Sequence, residues 1–215
     1  MSKKPVNPFA SVAPRKKEFA PEKKKIVEDV IKEIKKNSFF VIYGERGVGR
    51  TLIVEKIVEY FKKKQKVEFF DFDKGLLYNL KKREQSDAKS IIVVETVEIV
   101  DNEFLDCIFE ELIELHRRGN TIIITTTVET FNFLKSKKVL RRVITSYKIP
   151  NLTYDESRDM IVERLNEVRT KKSDSVEPFT EKEVRYIWKK SKGNPKMILL
   201  ICSFLYHTKA IEHSL

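Results

Sequence analysis

Apolar positions fall along this chain in blocks whose period changes from one block to the next. From Pro21 to Lys36 they recur at helical spacing, with Ile26, Val27, Val30, Ile31 and Ile34 on one face. Phe39-Phe40-Val41-Ile42-Tyr43 is then continuous, as a strand buried on both faces must be. A helix over 50–63 follows it. The alternation repeats: strand 67–72 before a weak helix near 76–84, strand 90–95 before a helix over 102–118, and strand 121–126 before a short helix near 129–135. Ser146-Tyr147-Lys148-Ile149 is a final short strand. Nearly all-apolar strands separated by helices predict a parallel sheet covered by helices on both faces, with ligands at the carboxyl ends of the strands.

After Pro150 the strand signal stops. Helical patterns over Tyr154–Val168, Thr180–Ser191 and Pro195–Thr208 predict a small helical subdomain, 151–215. Thr180-Glu181-Lys182-Glu183 has the spacing of a capping box, and Asn151-Leu152-Thr153 suits the start of the helix before it. At the other end, Pro5, Pro8, Pro14 and Pro21 stand among lysines. Residues 1–24 are therefore expected to form a basic, extended tail, disordered unless it docks. Residues 25–150 make the α/β core.

Between the first strand and its helix lies Gly44-Glu45-Arg46-Gly47-Val48-Gly49-Arg50-Thr51-Leu52. A strand–glycine loop–helix turn is what a phosphate-binding loop requires. The glycines let backbone N–H groups turn inward around phosphate oxygens, and the helix adds the positive end of its dipole. Thr51 stands where a hydroxyl holds Mg2+, and Arg50 where Lys ordinarily reaches the β- and γ-phosphates. Arginine keeps the charge but brings a larger planar fork, so binding should survive the change better than catalysis. The motif predicts ATP or ADP with Mg2+ as ligands. A glycine-rich turn with no ligand is the blander reading. The glycine spacing, the flanking elements and the closing Arg-Thr pair weigh against it together.

A second, acidic motif belongs at the end of a buried strand beside the loop-bearing one. Ile91-Ile92-Val93-Val94-Glu95-Thr96-Val97-Glu98 meets that description. Strand 67–72 comes between the two in sequence, which suggests an inserted strand in the sheet. Glu95 is the candidate acid for Mg2+, through water, and Glu98 follows it around the turn. The place directly after the metal-side acid ordinarily holds the base that polarises the attacking water. Thr96 holds it here, and a hydroxyl is no base at neutral pH. Thr125-Thr126-Thr127 ends the next strand. Its hydroxyls suit a γ-phosphate or a water, and suit β-propensity alone equally well. Arg141 and Arg142 have the chemistry of an arginine finger toward a neighbouring subunit's phosphate, and also that of a basic surface turn. Gly193-Asn194-Pro195-Lys196 opens the last helix, with Pro195 suited to a first helical position and Lys196 able to swing toward phosphates.

Composition changes the picture mainly through charge. The chain has 215 residues, 41% of them apolar, and a net charge of +11. That balance favours polyanions such as DNA or RNA and leaves anionic membrane surfaces open. Much of the excess sits in Lys3, Lys4, Arg15, Lys16, Lys17, Lys23, Lys24 and Lys25, where a solvated tail and a phosphate contact are both open readings. Cys107 and Cys202 stand in apolar helical patterns and read as small core residues. No apolar run reaches the ~18 residues of a membrane span, and the N-terminus lacks a signal peptide's apolar stretch. A soluble, cytoplasmic protein is expected.

Taken together, residues 25–210 resemble an AAA+ ATPase. Gly44–Thr51 is similar to that family's Walker A, with Arg50 replacing Lys. Glu95-Thr96-Val97-Glu98 resembles its Walker B, with Glu replacing Asp and Thr replacing the catalytic Glu. A register shifted by one residue would instead put Glu95 at the base position and Val94 at the metal position. Thr125 or Thr126 matches sensor 1, and Lys196 looks like sensor 2 with Lys replacing Arg. The branch resembled is the origin-recognition and initiator type, with its archaeal and transposition-associated relatives; Asn7-Pro8-Phe9 is similar to some of the latter. The resemblance implies a P-loop core with a helical lid, ATP/ADP and Mg2+ as cofactors, and assembly into a homo-oligomer. It also implies a partner in DNA, met through nonspecific phosphate contacts because no winged-helix reader follows the lid. Departures at the catalytic positions imply slow or absent hydrolysis. The competing expectation is a degenerate nucleotide-binding scaffold that acts through protein–protein contacts.

Overall fold

The computed structural model describes residues 7–11, 21–34, 39–84, 88–97, 102–136 and 144–212. Its elements follow in the order α1 (Pro21–Ile34), β1 (Phe39–Tyr43), α2 (Arg50–Phe61), β2 (Val67–Asp71), α3 (Leu76–Glu84), β3 (Ile91–Val97) and α4 (Asn102–Arg117). Then come β4 (Thr121–Thr126), α5 (Val128–Ser136), β5 (Ile144–Lys148), α6 (Tyr154–Asn166), α7 (Glu181–Ser191) and α8 (Pro195–Glu212). Two compact units result. One spans Glu22–Arg46 and Arg50–Ile149; the other gathers the described residues of Met1–Pro21, Gly47–Gly49 and Pro150–Leu215.

The first unit is built on a five-stranded sheet in the order β2-β3-β4-β1-β5, parallel throughout. β3 does not lie beside β1. β4 takes that place, with Phe39 opposite Ile122 and, on its far side, Ile122 opposite Ile92. The inserted strand is thus β4, which follows β3 in the chain, while β2 goes to the edge. Burial explains the choice. Every residue of β4 is buried, whereas β2 carries Glu68, Asp71 and an exposed Phe69 that only an edge accommodates.

Strand alternation sends Phe39, Val41, Ile92, Val94, Ile122 and Ile124 into one core with Leu76 and Leu80 of α3, Leu105, Ile108 and Leu112 of α4, and Leu134 of α5. Phe40, Ile42, Ile91, Val93 and Ile123 point the other way and are equally buried. That face is left to α1 and α2, whose Val27, Val30, Ile53, Val54 and Ile57 are buried. Tyr147 of β5 hydrogen-bonds Glu33 of α1 across it. Burial, that bond and the nearby negative charge push the phenol up to about 12. Each fully buried Ile or Phe contributes about 1.5–3 kcal/mol. Cys107, expected inside, is exposed: Leu105, Ile108, Phe109 and Leu112 take the inward face of α4 and leave position 107 outside. Lys23, read from sequence as part of the basic tail, is a buried residue of α1.

The starts of β2, β3 and β4 are tied by a polar network. Buried Arg83 of α3 donates to Glu68 (2.5 Å), Ser90 Oγ (3.0 Å), Asn120 Oδ1 (3.1 Å) and the Ala88 carbonyl. Ser90 Oγ donates to Glu68 at 2.7 Å, and Asn120 Nδ2 to the Leu115 carbonyl at 2.8 Å. Burial opposes ionisation of Glu68, but the bonds from Ser90, Lys66 and Arg83 outweigh it and hold the carboxyl below its ordinary range.

In the second unit, Thr153 with Glu156 and Thr180 with Glu183 form capping boxes that start α6 and α7. Met160, Ile161, Leu165, Phe179, Val184, Ile187, Ile198 and Leu199 close a core between the helices. Phe9, from the expected tail, belongs to that core at 1% exposure. Its ring lies 5.7 Å from Phe179 and 5.9 Å from Tyr206, centroid to centroid. Asn7 donates to the Ser203 carbonyl (3.3 Å) and Oγ (3.1 Å), accepts from the Phe9 amide (2.9 Å), and buried Arg164 donates to the Ser11 carbonyl at 3.0 Å. Residues 7–11 are therefore anchored by an aromatic plug. Phe9→Ala should cost about 3–5 kcal/mol, the usual loss for an emptied Phe site. Chemical denaturation checks this; an unchanged midpoint would show that the plug contributes nothing.

Candidate functional site

The glycine loop begins where β1 ends, and the Gly44 amide donates to the Thr126 carbonyl at 3.2 Å. Gly47 (φ 84°) and Gly49 (φ 101°) occupy the left-handed region, which any side chain would strain. A Cβ on Gly47 would also lie 2.6 Å from Lys196 Cβ and 3.1 Å from Asn194 Oδ1. Glu45 and Arg46 are exposed, Val48 is fully buried, and α2 starts at Arg50 with Thr51 outward and Leu52 inward. Lys196 is exposed, and its amide donates to the Gly47 carbonyl at 3.3 Å. Asn194 caps the same helix, accepting from the Met197 amide at 3.3 Å.

Glu95 sits near the end of β3, half-buried, and accepts a hydrogen bond from the Thr51 hydroxyl. Its Oε1 is buried with no hydrogen-bond partner. Burial raises the carboxyl's pKa most; the Thr51 bond opposes it, Glu55 and Asp71 raise it further, and Arg50 lowers it, leaving it above the ordinary value. Asp71 lies opposite Glu95 in the β2–β3 register, and Glu55 is one helical turn from Thr51 on α2. These residues fit Mg2+. That ion takes oxygen ligands, keeps several waters, and needs only one or two protein groups beside the phosphates. A hydroxyl and an orphaned carboxylate oxygen in a locally negative field supply them. Among the described residues no group of three or more His, Cys, Asp or Glu side chains stands ready to hold a metal by itself.

Thr96 is exposed and has φ 58°, a costly conformation for a β-branched residue. It lies where the β3–β4 register shifts between Val94 and Val97. Its amide donates to Thr125 Oγ1 at 2.8 Å, while Thr126 Oγ1 donates to the Val97 carbonyl at 2.6 Å. Both threonines are buried. Their hydroxyls hold the irregular end of β3, which is a structural use that β-propensity alone did not announce. Thr127 caps α5 by accepting from the Thr130 amide at 3.1 Å. Glu98, Arg141 and Arg142 lie outside the described residues.

The sequence motifs thus place Arg50, Thr51 and Glu95 together, with Thr96 and Thr125 bonded beside them. Sequence reasoning missed Glu55 and Asp71. Glu55 was legible as the residue four after Thr51; Asp71 required the strand register.

No protein-family model and no curated protein matches the sequence. Solved structures do. Cdc6p from Pyrobaculum aerophilum superposes with a TM-score of 0.63 at 11% identity, over 94% of this chain and 66% of that one. The Hsp104:casein complex from S. cerevisiae gives 0.60 at 12%, over 90% and 38%. PCH-2 from C. elegans gives 0.53 at 11%, over 94% and 73%. The fold is that of the AAA+ P-loop NTPases. This chain spans between about a third and two-fifths of the Hsp104 chains it matches, at 31%, 38% and 41%. No helix among the described residues is long and apolar enough to cross a membrane.

Because Glu95 is raised in the folded protein, the folded state holds its proton more tightly than the unfolded one. Stability from this group is complete below the ordinary glutamate pKa and is lost as pH rises through the higher folded value. Glu95→Gln should therefore flatten the decline in thermal midpoint as pH rises above the ordinary glutamate range, measured without nucleotide, and raise the midpoint at neutral pH. An unaltered pH profile would contradict the assignment.

Proposed function

We propose that this chain binds ATP or ADP with Mg2+ and turns the nucleotide over slowly or not at all, as a factor that works on DNA. The observation that carries the reading is the Thr51–Glu95 pair at the glycine loop, with the exposed hydroxyl of Thr96 directly after it. The backbone of Gly44–Gly49 cradles the phosphates, and the Arg50 guanidinium stands in the place of the usual lysine. The Thr51 hydroxyl and, through water, the Glu95 carboxylate would hold the metal. When bound, Mg2+ neutralises phosphate charge and polarises the γ-phosphoryl group. Thr96 accepts no proton from a water at neutral pH, so the position that ordinarily supplies the base does not supply one. Arg141 is the candidate finger between copies in a homo-oligomer.

The DNA side of the reading rests on the net charge of +11 and is in keeping with the likeness to Cdc6p. Hsp104, also similar in fold, has been solved with ADP and with ATPγS.

Phosphate release from Mg-ATP, with and without duplex DNA, tests the reading against an Arg50→Ala background. Arg50→Ala should abolish the upward thermal shift that Mg-ATP gives the wild-type protein; an equal shift in both would sink the assignment. Thr96→Glu should raise phosphate release about 10²-fold or more, the usual worth of a placed base. No gain would move the base to another position and favour the shifted register. Nucleotide binding without DNA binding or release would leave a scaffold that acts through protein contacts.

A further inference from the structure

Glu95 and Thr51 occupy the carboxyl end of the sheet. The opposite end carries a different chemistry. Lys62, Lys63, Lys64 and Lys66 lead into β2, Lys89 leads into β3, and Arg117 and Arg118 lead into β4; all are exposed. The three entries are neighbours in space, since Val67 lies opposite Ile91 and Ile91 opposite Thr121. Backbone bonds lock them: the Ile91 amide donates to the Lys66 carbonyl at 2.9 Å, and the Thr121 amide to the Ser90 carbonyl at 3.1 Å. Lys89 runs across to the next entry, with its Cε 2.9 Å from where a Cβ on Gly119 would stand.

The acids among the described side chains of this edge do little to cancel the charge. Glu68 is turned inward, bound to buried Arg83 and to Ser90, and reaches Lys66 at 3.0 Å. Glu114 meets Arg117 and Arg118 only at 3.5 and 3.4 Å, in solvent. Cations in the last turn of a helix answer the helix dipole and need no partner, which accounts for Lys81, Lys82 and Arg117. That explanation stops at the helix ends. α2 ends at Phe61 and α3 at Glu84; the Lys62 amide still donates back to the Val58 carbonyl at 2.8 Å and the Lys64 amide to the Phe61 carbonyl at 2.7 Å, so Lys62, Lys63 and Lys64 share the α2 dipole, whereas Lys66 and Lys89 lie beyond both helices. Lys64 also holds its Nζ 3.6 Å over the half-exposed ring of Tyr60, which keeps an aromatic surface among the lysines.

We propose that this amino-terminal rim of the sheet is the surface that lies along the phosphate backbone of duplex DNA. Three adjacent strands span roughly 10 Å, a length over which a duplex presents about six phosphate charges. The rim offers exposed lysines and arginines, groups that meet phosphate charge, so it reads charge and not sequence. Its distance from Glu95 along the strands lets DNA and nucleotide be held at once. The inference rests on the DNA reading above and names where on the core that contact is made.

Fluorescence anisotropy of a labelled duplex, titrated with the full chain over a KCl series, tests it. Wild type is compared with a rim variant (Lys62→Gln, Lys63→Gln, Lys64→Gln, Lys89→Gln) and a tail variant (Lys3→Gln, Lys4→Gln, Lys16→Gln, Lys17→Gln). The rim variant should lose at least tenfold in affinity at low salt and flatten the log–log salt slope by about 3 to 4, near 0.9 per lost phosphate contact. Its thermal shift with Mg-ATP should match wild type, which shows that the fold and the nucleotide site are intact. Wild-type binding that the rim variant retains, or that only the tail variant loses, overturns the rim while leaving the DNA reading in place. No binding by the wild-type chain overturns the DNA reading and the rim with it. Binding to phosphatidylserine vesicles without binding to the duplex overturns the choice of DNA as the occupant.

Discussion

Burial of β4 on both faces and along both edges is the constraint on which the rest of this protein depends. With β1 on one side and β3 on the other, β4 holds the glycine turn and the Glu95 strand at a set separation. It does so with more than its ladder. The Thr126 carbonyl receives the first amide of the glycine loop, the Thr126 hydroxyl donates to Val97, and the Thr125 hydroxyl receives the amide of Thr96. Each bond ties a functional segment to the most buried strand in the sheet. A strand so buried has no freedom to slip, because a one-residue slip would turn its apolar side chains to the wrong face.

The irregular end of β3 follows from the same arrangement. The left-handed Thr96 costs free energy, and the shift in pairing between Val94 and Val97 costs ladder bonds. Thr125 and Thr126 offset part of that cost by satisfying groups the ladder leaves open. Glu95 is consequently held in a place where burial and two neighbouring acids disfavour its charge, with Thr51 and Arg50 in opposition. A site that resists ionisation without a cation and welcomes one when it arrives is suited to binding. Chemistry would need a base as well, and the side chain after Glu95 is a hydroxyl.

The two units are stabilised by different means. The sheet unit relies on apolar layers, with one buried polar network of Arg83, Glu68, Ser90 and Asn120 closing its amino end. The helical unit has a smaller core and adds capping boxes on α6 and α7 and the Phe9 plug. A segment of Asn-Pro-Phe among prolines and lysines carries too little apolar surface to fold by itself. It orders because the helices present Phe179, Tyr206 and Ser203 in one place.

The sequence by itself determined the kind and order of the elements, because parallel strands buried on both faces must be continuously apolar and their crossovers must be helices with one apolar stripe. It also determined the place of the glycine loop between β1 and α2, since Gly47, Gly49, Arg50 and Thr51 are neighbours in the chain and their backbone demands are local. The start of α7 was legible for the same reason: Thr180 and Glu183 satisfy each other within one turn. Tertiary structure alone decided that β4 and not β2 is the inserted strand, that Asp71 faces Glu95, and that Phe9 is core while Cys107 is surface. Those outcomes depend on which apolar faces find each other across long stretches of chain, a competition of burial energies that no short window of residues contains. The left-handed turn at Thr96 belongs with them. Threonine avoids that conformation locally, and it adopts it here because the pairing of β3 with β4 and the Thr125 hydroxyl together outweigh the local preference.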